Sequence, residues 1–356
     1  MKIMVFDVPA CSGGALSILN DFYQEIVQHY DNDIEWIFIL SKPSLQETEN
    51  VKVIRFPWIK KSWFHRLFFD YFIAPKLVKN IQPDKIFSLQ NVIVPKVKVD
   101  QIVYLHQSIP FIDYRFKFSE DKILWLNQNV LNRLIIKSIQ KSQKVLVQSN
   151  WLKKTCVEKH GVNESKIEVI PPEIRFKIKN YFQENERNCA TFFYPAGESY
   201  YKNHRLIVES CEQLLRSKYQ QFNVIFTLNG DENEHIKALY SRVQALKLPV
   251  QFIGSIKREQ VFEYYTRSIL IFPSYVETFG LPLLESKMHK GIIFAADTPF
   301  SHEILDGYPN AYYFNAFNSE QLKNLMGKLL DGDIRYSTKP DHTELNENLL
   351  IDSIVY

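Results

Sequence analysis

The sequence predicts an α/β protein with two doubly wound parallel sheets that face one another across a central cleft. Three observations lead to this fold class. Apolar runs of strand length alternate with helical stretches along the chain, which is typical of parallel sheets. The thirteen runs are too many for one open sheet. The alternation is interrupted once, at Pro171-Pro172 and the polar stretch that follows. We therefore expect domains at 1–170 and 171–330, with 331–356 as a partly ordered tail.

Each element follows from the apolar pattern and the turn residues beside it. Strands are expected at residues 2–7, 34–40, 51–56, 84–88, 101–105, 143–148, 166–170, 190–195, 222–228, 249–253, 268–272, 291–295 and 311–314. Helices are expected at residues 15–30, 120–141, 150–160, 203–219, 232–246, 257–267, 281–290 and 318–330. Ligands of doubly wound sheets bind beyond the carboxyl ends of the strands, so the site is expected at those ends.

Length and composition exclude several classes of protein. The 356 residues are enough to bury a core without disulfides, and 46% apolar content argues against a disordered chain. The four cysteines lie far apart and form no metal-binding pair, so buried thiols are expected. Met1 leads directly into an apolar strand without a signal-like leader, and no run is long enough to span a membrane. A cytoplasmic protein is expected.

The net charge of +3 conceals an uneven distribution. Residues 1–180 carry 26 basic and 18 acidic side chains, whereas the rest of the chain carries 17 and 22. Residues 51–100 alone hold 10 basic and 3 acidic side chains. The basic first half therefore favours an anionic partner.

The segment 55–79 combines basic and aromatic residues, with cations such as Lys60 and Arg66 between aromatic side chains such as Trp63 and Phe64. This composition suits the anionic interface of a membrane or a lipid-diphosphate acceptor. A core helix with solvated lysines explains it as well. Single-stranded nucleic acid also binds aromatic and basic residues, but no RNA-binding signature accompanies the segment, so no nucleic-acid partner is expected.

Two glycine-containing turns are candidate anion sites. Gly13 and Gly14 follow the first strand and open a helix, where backbone N–H groups can approach an anion. A turn without a ligand explains this pair equally well. In the second half, a loop with Glu277 leads to a helix beginning near Gly280, and Glu285 lies about one turn further. The N–H groups of Phe279, Gly280 and Leu281 are expected to point at the ligand. The alternative is that neither glutamate binds a ligand: one caps the helix and the other is a solvated residue of the helix.

The segment Glu-Thr-Phe-Gly-Leu-Pro-Leu-Leu-Glu at 277–285 resembles the paired-glutamate motif of glycosyltransferase family 4, whose members are retaining enzymes of the GT-B fold. Residues 196–203, Ala-Gly-Glu-Ser-Tyr-Tyr-Lys-Asn, resemble that family's donor-phosphate loop. Residues 252–254 and 295–303 resemble further conserved-looking stretches, and the match is looser over the first half. The resemblance covers roughly residues 2–330 and implies GT-B architecture, with two Rossmann-like domains.

The resemblance also implies roles for particular residues. Lys202 is expected to neutralise the donor diphosphate, while Glu285 holds the ribose diol and Glu277 contacts hydroxyls of the transferred sugar. Phe279 and Gly280 are expected to offer backbone N–H groups to the sugar or the phosphates. Glu277 is therefore a candidate catalytic residue, and the others are candidate donor-binding residues.

His106 is the second candidate catalytic residue, because the resemblance places it beside the reacting carbon. It follows the strand 101–105, although a lone histidine there is often only a core or loop residue. One position departs from the family pattern. Glu198 stands where the family commonly has arginine, so a positive charge is missing, and Lys257 or Arg258 is a candidate to compensate.

No metal and no other cofactor are expected. The histidines show no ligand spacing for zinc. Asp31-Asn32-Asp33 has the Asp-x-Asp form that metal-dependent GT-A glycosyltransferases use, but it follows a helix instead of a strand, which favours a polar turn. Asp331-Gly332-Asp333 has the same Asp-x-Asp form and is not expected to bind a metal either, for a similar reason.

The expected function is therefore a retaining glycosyltransferase of surface-polysaccharide biosynthesis. The donor is expected to be a UDP-sugar, with GDP-mannose second, and the acceptor a lipid-linked saccharide. The alternatives are another GT-B enzyme, such as a UDP-sugar epimerase or a phosphorylase, and a non-catalytic nucleotide-sugar-binding subunit. No pyridoxal phosphate lysine can be located for the phosphorylase. We also expect the segment 55–79 to contact the inner membrane peripherally.

Overall fold

The computed structural model describes residues 1–11, 13–28, 33–172, 178–217, 219, 221–339 and 350–355. The chain divides into two compact units. The first unit holds Met1–Glu173 together with Asn346–Tyr356, and the second holds Ile174–Leu345. The sequence placed the boundary after residue 170, close to this division.

Within the described residues, every expected strand is present, shifted by at most two residues at either end. The strands are β1 (Lys2–Asp7), β2 (Glu35–Leu40), β3 (Val51–Arg55), β4 (Lys85–Ser88), β5 (Asp100–Leu105), β6 (Lys144–Val147), β7 (Ile167–Val169), β8 (Thr191–Tyr194), β9 (Asn223–Phe226), β10 (Val250–Phe252), β11 (Ile269–Phe272), β12 (Ile293–Ala296) and β13 (Ala311–Phe314).

The described α-helices are α1 (Gly13–Gln28), α2 (Trp63–Phe68), α3 (Ala74–Ile81), α4 (Lys122–Leu126), α5 (Asn132–Lys141), α6 (Asn150–His160), α7 (Glu186–Cys189), α8 (His204–Leu215), α9 (Glu234–Ala245), α10 (Arg258–Tyr265), α11 (Leu281–Met288), α12 (Pro299–Leu305), α13 (Ser319–Leu330) and α14 (Leu350–Val355). The helix expected over 120–141 consists of α4 and α5, joined by a π-helical turn at Asn127–Leu131. A second π-helical turn, Phe69–Ile73, joins α2 to α3.

Both sheets are parallel and change direction at a switch point. Among the described residues, the first unit has the strand order β3-β2-β1-β4-β5-β6-β7 and the second unit has β10-β9-β8-β11-β12-β13. In the first sheet, β2 and β3 extend from one side of β1, and β4 to β7 extend from its other side. In the second sheet, β9 and β10 extend from one side of β8, and β11 to β13 extend from its other side. In doubly wound sheets, the loops after the two strands at a switch point diverge to opposite faces and leave room for a ligand. These strands are β1 and β4 in the first unit and β8 and β11 in the second.

The first sheet is covered on both faces because successive residues of a strand point to opposite sides. Ile3 and Val5 of β1 pack with Phe22 of α1 on one face. Met4 and Phe6 pack with residues of α3 on the other face. These four side chains of β1 are fully buried. The prediction of two doubly wound α/β domains is confirmed.

The end of the chain belongs to the first unit. Ile351 and Ile354 of α14 are buried in the same cluster as α1. The Lys85 ammonium donates to the carbonyls of Ile354 and Val355, at 3.1 and 2.9 Å, where a cation complements the helix C-terminus. Ile351 N–H donates to Glu25 Oε1 at 2.7 Å. The residues expected as a single tail, 331–356, are thus shared between the two units.

Candidate active site

The switch point of the second unit brings two of the predicted site residues together. Lys202 lies in a 3₁₀ turn, Tyr200–Lys202, in the loop after β8. Glu277 lies in the loop after β11, the neighbouring strand. The Lys202 Nζ and Glu277 Oε1 atoms are 2.5 Å apart, although 75 positions separate the residues in sequence.

This ion pair is largely shielded from solvent. The side chains of Lys202 and Glu277 are 21% and 16% exposed. Burial by itself lowers the pKa of Lys202, but the Glu277 carboxylate and the Tyr201 hydroxyl outweigh burial, so the pKa lies above its usual value. Lys202 is therefore a fixed ammonium cation at neutral pH, at the mouth of the switch point.

Asn203 holds the Lys202 loop in place. Its backbone is left-handed, with φ +62°, a conformation that asparagine tolerates better than most residues. Its side-chain amide donates to the carbonyl of Ala316 at 2.7 Å and to that of Pro273 at 3.3 Å. The buried Tyr194 hydroxyl donates to the Lys202 carbonyl at 2.7 Å. These bonds tie the loop to the carboxyl ends of β8, β11 and β13.

The helix α11 begins at the same edge of the sheet. Gly280 precedes it with φ +101°, a conformation that side chains rarely adopt. A Cβ atom on Gly280 would lie 3.3 Å from Leu283 Cδ1. Phe279 and Gly280 are buried, and Leu281 opens the helix. The first N–H groups of a helix lack carbonyl partners within it, so this end carries partial positive charge.

Glu285 lies one turn inside α11 and contacts α10. Its Oε1 atom accepts from Arg258 Nη2 at 2.9 Å, and its Oε2 atom accepts from the Tyr265 hydroxyl at 3.0 Å. Sequence reasoning missed the pairing with Tyr265 and assigned Arg258 to a different role, compensation for the missing arginine. No local pattern reveals either contact.

Glu198 and Gly197 lie on the exposed part of the Lys202 loop. A Cβ atom on Gly197 would meet nothing within 4 Å. The carbonyl of Glu198 accepts from the Asn233 side chain at 3.2 Å. The Glu198 carboxylate therefore lies at the surface of the loop where the family resemblance placed an arginine.

In the first unit, Gly13 and Gly14 form the start of α1, directly after the β1 loop. A Cβ atom on Gly14 would meet nothing within 4 Å. Ser12 lies outside the described residues, and so do Asp31 and Asn32 of the Asp-x-Asp segment. In the described residues, no group of three or more His, Cys, Asp or Glu side chains is placed to hold a metal ion.

His106 follows β5 at the carboxyl edge of the first sheet. Its Nε2 atom lies 2.6 Å from the Leu89 carbonyl, and its backbone N–H donates to Asn91 Oδ1 at 2.8 Å. Because a carbonyl only accepts, Nε2 carries the proton and Nδ1 is the acceptor nitrogen. Burial lowers the pKa of His106, although its bond to Leu89 acts in the opposite direction. The imidazole is thus neutral near pH 7.

Asp7 is a buried carboxyl group at this edge that sequence reasoning did not single out. Asp7 is the last residue of β1, and it is 1% exposed. Its Oδ1 atom has no hydrogen-bond partner in the described part of the chain. Burial raises the pKa of Asp7 to about 7, against the opposing effects of the Ala10 N–H, Arg66 and Lys60. The signal in the sequence was a charged residue directly after the apolar run at residues 3–6.

The helices of the segment 55–79 expose a cluster of large apolar side chains, here called the aromatic surface. Its members are Trp63, Phe64, Phe68, Tyr71 and Phe72. Trp63 and Phe64 are 55% and 76% exposed. The Lys96 ammonium lies 5.9 Å from the ring centre of Tyr71 and 5.7 Å from that of Phe72. No helix in the described residues is long and apolar enough to cross a bilayer.

Residues 177–348 match the model of the family described as glycosyl transferases group 1. The matched region covers 172 of the 356 residues, a little under half of the chain. This region lies almost wholly within the second unit and contains the Lys202–Glu277 pair, the start of α11 and Glu285. The glycosyltransferase prediction is confirmed at this level.

The comparisons with individual proteins agree with the domain match. The chain is 22% identical over 252 residues to the O-antigen chain mannosyltransferase RfbU of Salmonella typhimurium. That match spans 69% of this chain and 65% of the relative, just under two thirds of its length.

Two solved structures share the fold of this glycosyltransferase. HepE from Anabaena in complex with UDP has 16% identity and a TM-score of 0.66, covering 94% of this chain and 91% of that chain. Sucrose-phosphate synthase from Thermosynechococcus elongatus has 14% identity and a TM-score of 0.68, covering 93% and 90%. These likenesses confirm the GT-B fold class, and with the domain match they support a glycosyltransferase of the GT-B type.

Proposed function

We propose that this protein is a retaining glycosyltransferase that moves a sugar from a nucleoside diphosphate to a hydroxyl group of a lipid-linked saccharide. The donor is a UDP-sugar or, second, GDP-mannose. The proposal is supported chiefly by the Lys202–Glu277 pair, which lies at the switch point beside the start of α11. Binding of UDP by HepE favours UDP, and the role of RfbU in the O-antigen chain favours surface-polysaccharide assembly.

The ion pair is suited to exchange its partners when a donor binds. Lys202 would donate to the diphosphate oxygens, and Glu277 would accept from hydroxyl groups of the sugar. Each charged group then keeps a charged or polar partner, which matters because both are mostly buried. The N–H groups of Phe279, Gly280 and Leu281 add positive potential at the same place.

Charge builds up on the diphosphate as the bond between the anomeric carbon and the phosphate oxygen breaks. A fixed ammonium and a helix N-terminus stabilise that charge without reorganising, which is the largest catalytic effect in many enzymes. The acceptor oxygen forms the new bond on the same face of the sugar, and its proton passes to the departing phosphate oxygen. The reaction thus balances with no additional acid or base. In the first unit, the neutral His106, with Nδ1 as acceptor, would accept a hydrogen bond from a substrate hydroxyl group.

Donor turnover with single substitutions tests this proposal. Lys202→Ala is expected to lower kcat/KM by roughly 10²–10³-fold, the range for the loss of one preorganised charge-stabilising group. Glu277→Ala should also reduce transfer, because it removes the acceptor for sugar hydroxyls. Lys237→Ala is a matched control, since Lys237 is 52% exposed and pairs with Glu234 on the surface. The proposal is refuted if Lys202→Ala and Glu277→Ala both retain near wild-type transfer from every accepted donor.

The same proposal assigns the aromatic surface to the cytoplasmic face of an anionic membrane, where the lipid-linked acceptor resides. Exposed aromatic side chains insert at the headgroup level, and each nearby cation contributes about 1 kcal/mol. Lys60 and Lys61 lie in the turn just before α2. Flotation with anionic liposomes at low salt is expected to recover the wild type.

The double variant Trp63→Ser and Phe64→Ser is expected to lose most of this binding. Leu246→Ser serves as the control, because Leu246 is 47% exposed and lies in the other unit. Equal flotation of the double variant and the control would contradict the assignment.

A further inference from the structure

Glu285 is held between two side chains of the neighbouring helix. Arg258, at the start of α10, donates to Glu285 Oε1 at 2.9 Å. Tyr265, at the end of α10, donates to Glu285 Oε2 at 3.0 Å. The two donors thus bind different oxygens of one carboxylate. Fixing both oxygens leaves the carboxylate little freedom to rotate.

The surroundings favour a fixed orientation. The Glu285 side chain is 9% exposed, and Tyr265 is 1% exposed. Arg258 is 55% exposed, and its guanidinium lies 5.5 Å from the ring centre of Phe262. A salt bridge with one exposed partner could rearrange freely, but Tyr265 is anchored in the core. The hydroxyl of Tyr265 therefore defines the plane of the carboxylate.

These two hydrogen bonds leave one acceptor position on each oxygen of Glu285. A carboxylate offers about four lone-pair sites, two on each oxygen. Arg258 uses one site on Oε1 and Tyr265 uses one on Oε2. The remaining sites lie on separate oxygens. Two adjacent hydroxyl groups of one sugar ring have the spacing to donate to both.

Arg258 and Tyr265 also control the charge of Glu285. Burial raises the pKa of Glu285, and the Arg258 charge and the Tyr265 hydrogen bond oppose that effect. His289, which directly follows α11, bonds through Nδ1 to the backbone carbonyl of Glu285 at 2.7 Å and stacks on Phe262. Loss of Arg258 would raise the pKa of Glu285 further and leave the carboxylate protonated as the pH falls.

We propose that Arg258 and Tyr265 are positioning residues that aim the Glu285 carboxylate at two adjacent ribose hydroxyls of the donor nucleotide. They thereby determine the preference for ribonucleotides over 2′-deoxyribonucleotides. This inference rests on the proposed function, which supplies the nucleotide donor. Arg258 acts through Glu285 and not as a substitute for the missing arginine of the phosphate loop.

Calorimetric titration with nucleotides tests the inference without knowledge of the transferred sugar. UDP, 2′-deoxy-UDP, GDP and 2′-deoxy-GDP are titrated into the full chain at about pH 6 and about pH 8.5. The wild type is expected to prefer the ribonucleotide by roughly tenfold or more, because each lost bond leaves a charged acceptor unpaired. Arg258→Ala should lose most of this preference, and lose more at pH 6 than at pH 8.5.

Three further variants complete the experiment. Arg258→Lys should restore part of the preference, since it returns the charge without the planar guanidinium. Tyr265→Phe should reduce the preference at both pH values, because it removes one hydrogen bond. Arg267→Ala is the matched control: Arg267 is exposed and contacts the face of Tyr264, at 4.6 Å from the ring centre. It should bind as the wild type does.

The outcomes separate this inference from the function on which it rests. If the wild type binds neither UDP nor GDP, both the proposed function and the inference are overturned. If it binds one of them but does not prefer the ribonucleotide over the 2′-deoxyribonucleotide, only the inferred role of Glu285, Arg258 and Tyr265 is overturned. A wild-type preference that persists unchanged in Arg258→Ala and in Tyr265→Phe also overturns the inference alone. A loss in Arg258→Ala that is equal at both pH values indicates a merely structural effect and counts against it.

Discussion

Replacement of Asp7 by asparagine is expected to stabilise the first unit at alkaline pH and to have no such effect near pH 4. Asp7 is 1% exposed, and its Oδ1 atom has no partner among the described residues. Burial raises the pKa of Asp7 to about 7. Asparagine has nearly the same shape and no charge, so it removes the cost of holding an anion there.

The sign of the effect follows from proton binding. Between about pH 4 and pH 7 the native protein holds the Asp7 proton, whereas the unfolded chain has released it. The native state therefore binds more protons in this window, and stability falls as the pH rises through it. Above pH 7 both states are ionised and the loss is complete.

The magnitude follows from the two pKa values. They differ by about three pH units, and each unit corresponds to about 1.4 kcal/mol. Asp7→Asn should therefore raise the free energy of unfolding of the first unit by up to ~4 kcal/mol at pH 8. The gain should shrink steadily below pH 7 and vanish near pH 4.

The chain provides a selective reporter for this experiment. All five tryptophans, Trp36, Trp58, Trp63, Trp125 and Trp151, belong to the first unit. Tryptophan fluorescence during urea unfolding thus follows that unit alone. Asp113→Asn is the control, since the Asp113 side chain is 90% exposed and its substitution should change stability by less than about 0.5 kcal/mol.

A gain that stays constant between pH 4 and pH 8 would refute the reasoning, because an uncharged packing effect has no proton linkage. Destabilisation of Asp7→Asn at pH 8 would refute it as well. It would mean that the ionised carboxylate, through Arg66 and Lys60, stabilises the fold by more than its burial costs.

Two further predictions concern the second unit. Gly280→Ala is expected to destabilise it by about 1–2 kcal/mol, because φ is +101° and the new methyl group meets Leu283; an unchanged melting curve by far-UV circular dichroism would contradict this. Asn203→Ala removes both hydrogen bonds that tie the Lys202 loop to neighbouring strands, so UDP affinity should fall roughly tenfold by calorimetry. The exposed Asn324→Ala is its control, and equal affinities would contradict the role of Asn203.

The sequence predicted the strands of both units closely because the relevant signals are local. A run such as Ile3-Met4-Val5-Phe6 has no polar residue to place at a surface, so it predicts a strand buried on both faces. The helix over 120–141 was predicted as continuous, and its π-helical turn was missed. A single extra residue in one turn leaves almost no trace in the apolar pattern.

The candidate site was predictable where it depends on loops that directly follow strands. Lys202 and Glu277 could each be placed in a loop that follows a strand once the strands β8 and β11 were recognised. Their contact at 2.5 Å depends on strand order, which the sequence does not state. Sequence reasoning assigned no role to Asn203. Its side chain donates to two backbone carbonyls from segments far away in the chain, and no local pattern indicates those contacts.

The sequence by itself determined the two doubly wound domains, the strands, the longer helices, and the loops that carry Lys202, Glu277 and Gly280. These follow from the periodicity of apolar residues and from the turn chemistry of glycine and proline, which act over a few neighbouring positions. Only the tertiary structure decided that Arg258 and Tyr265 hold Glu285, that Asp7 is buried with an unpaired oxygen, and that α14 packs on the first unit. The physical reason is that these contacts join elements far apart in the chain, so packing selects them and no local pattern records them.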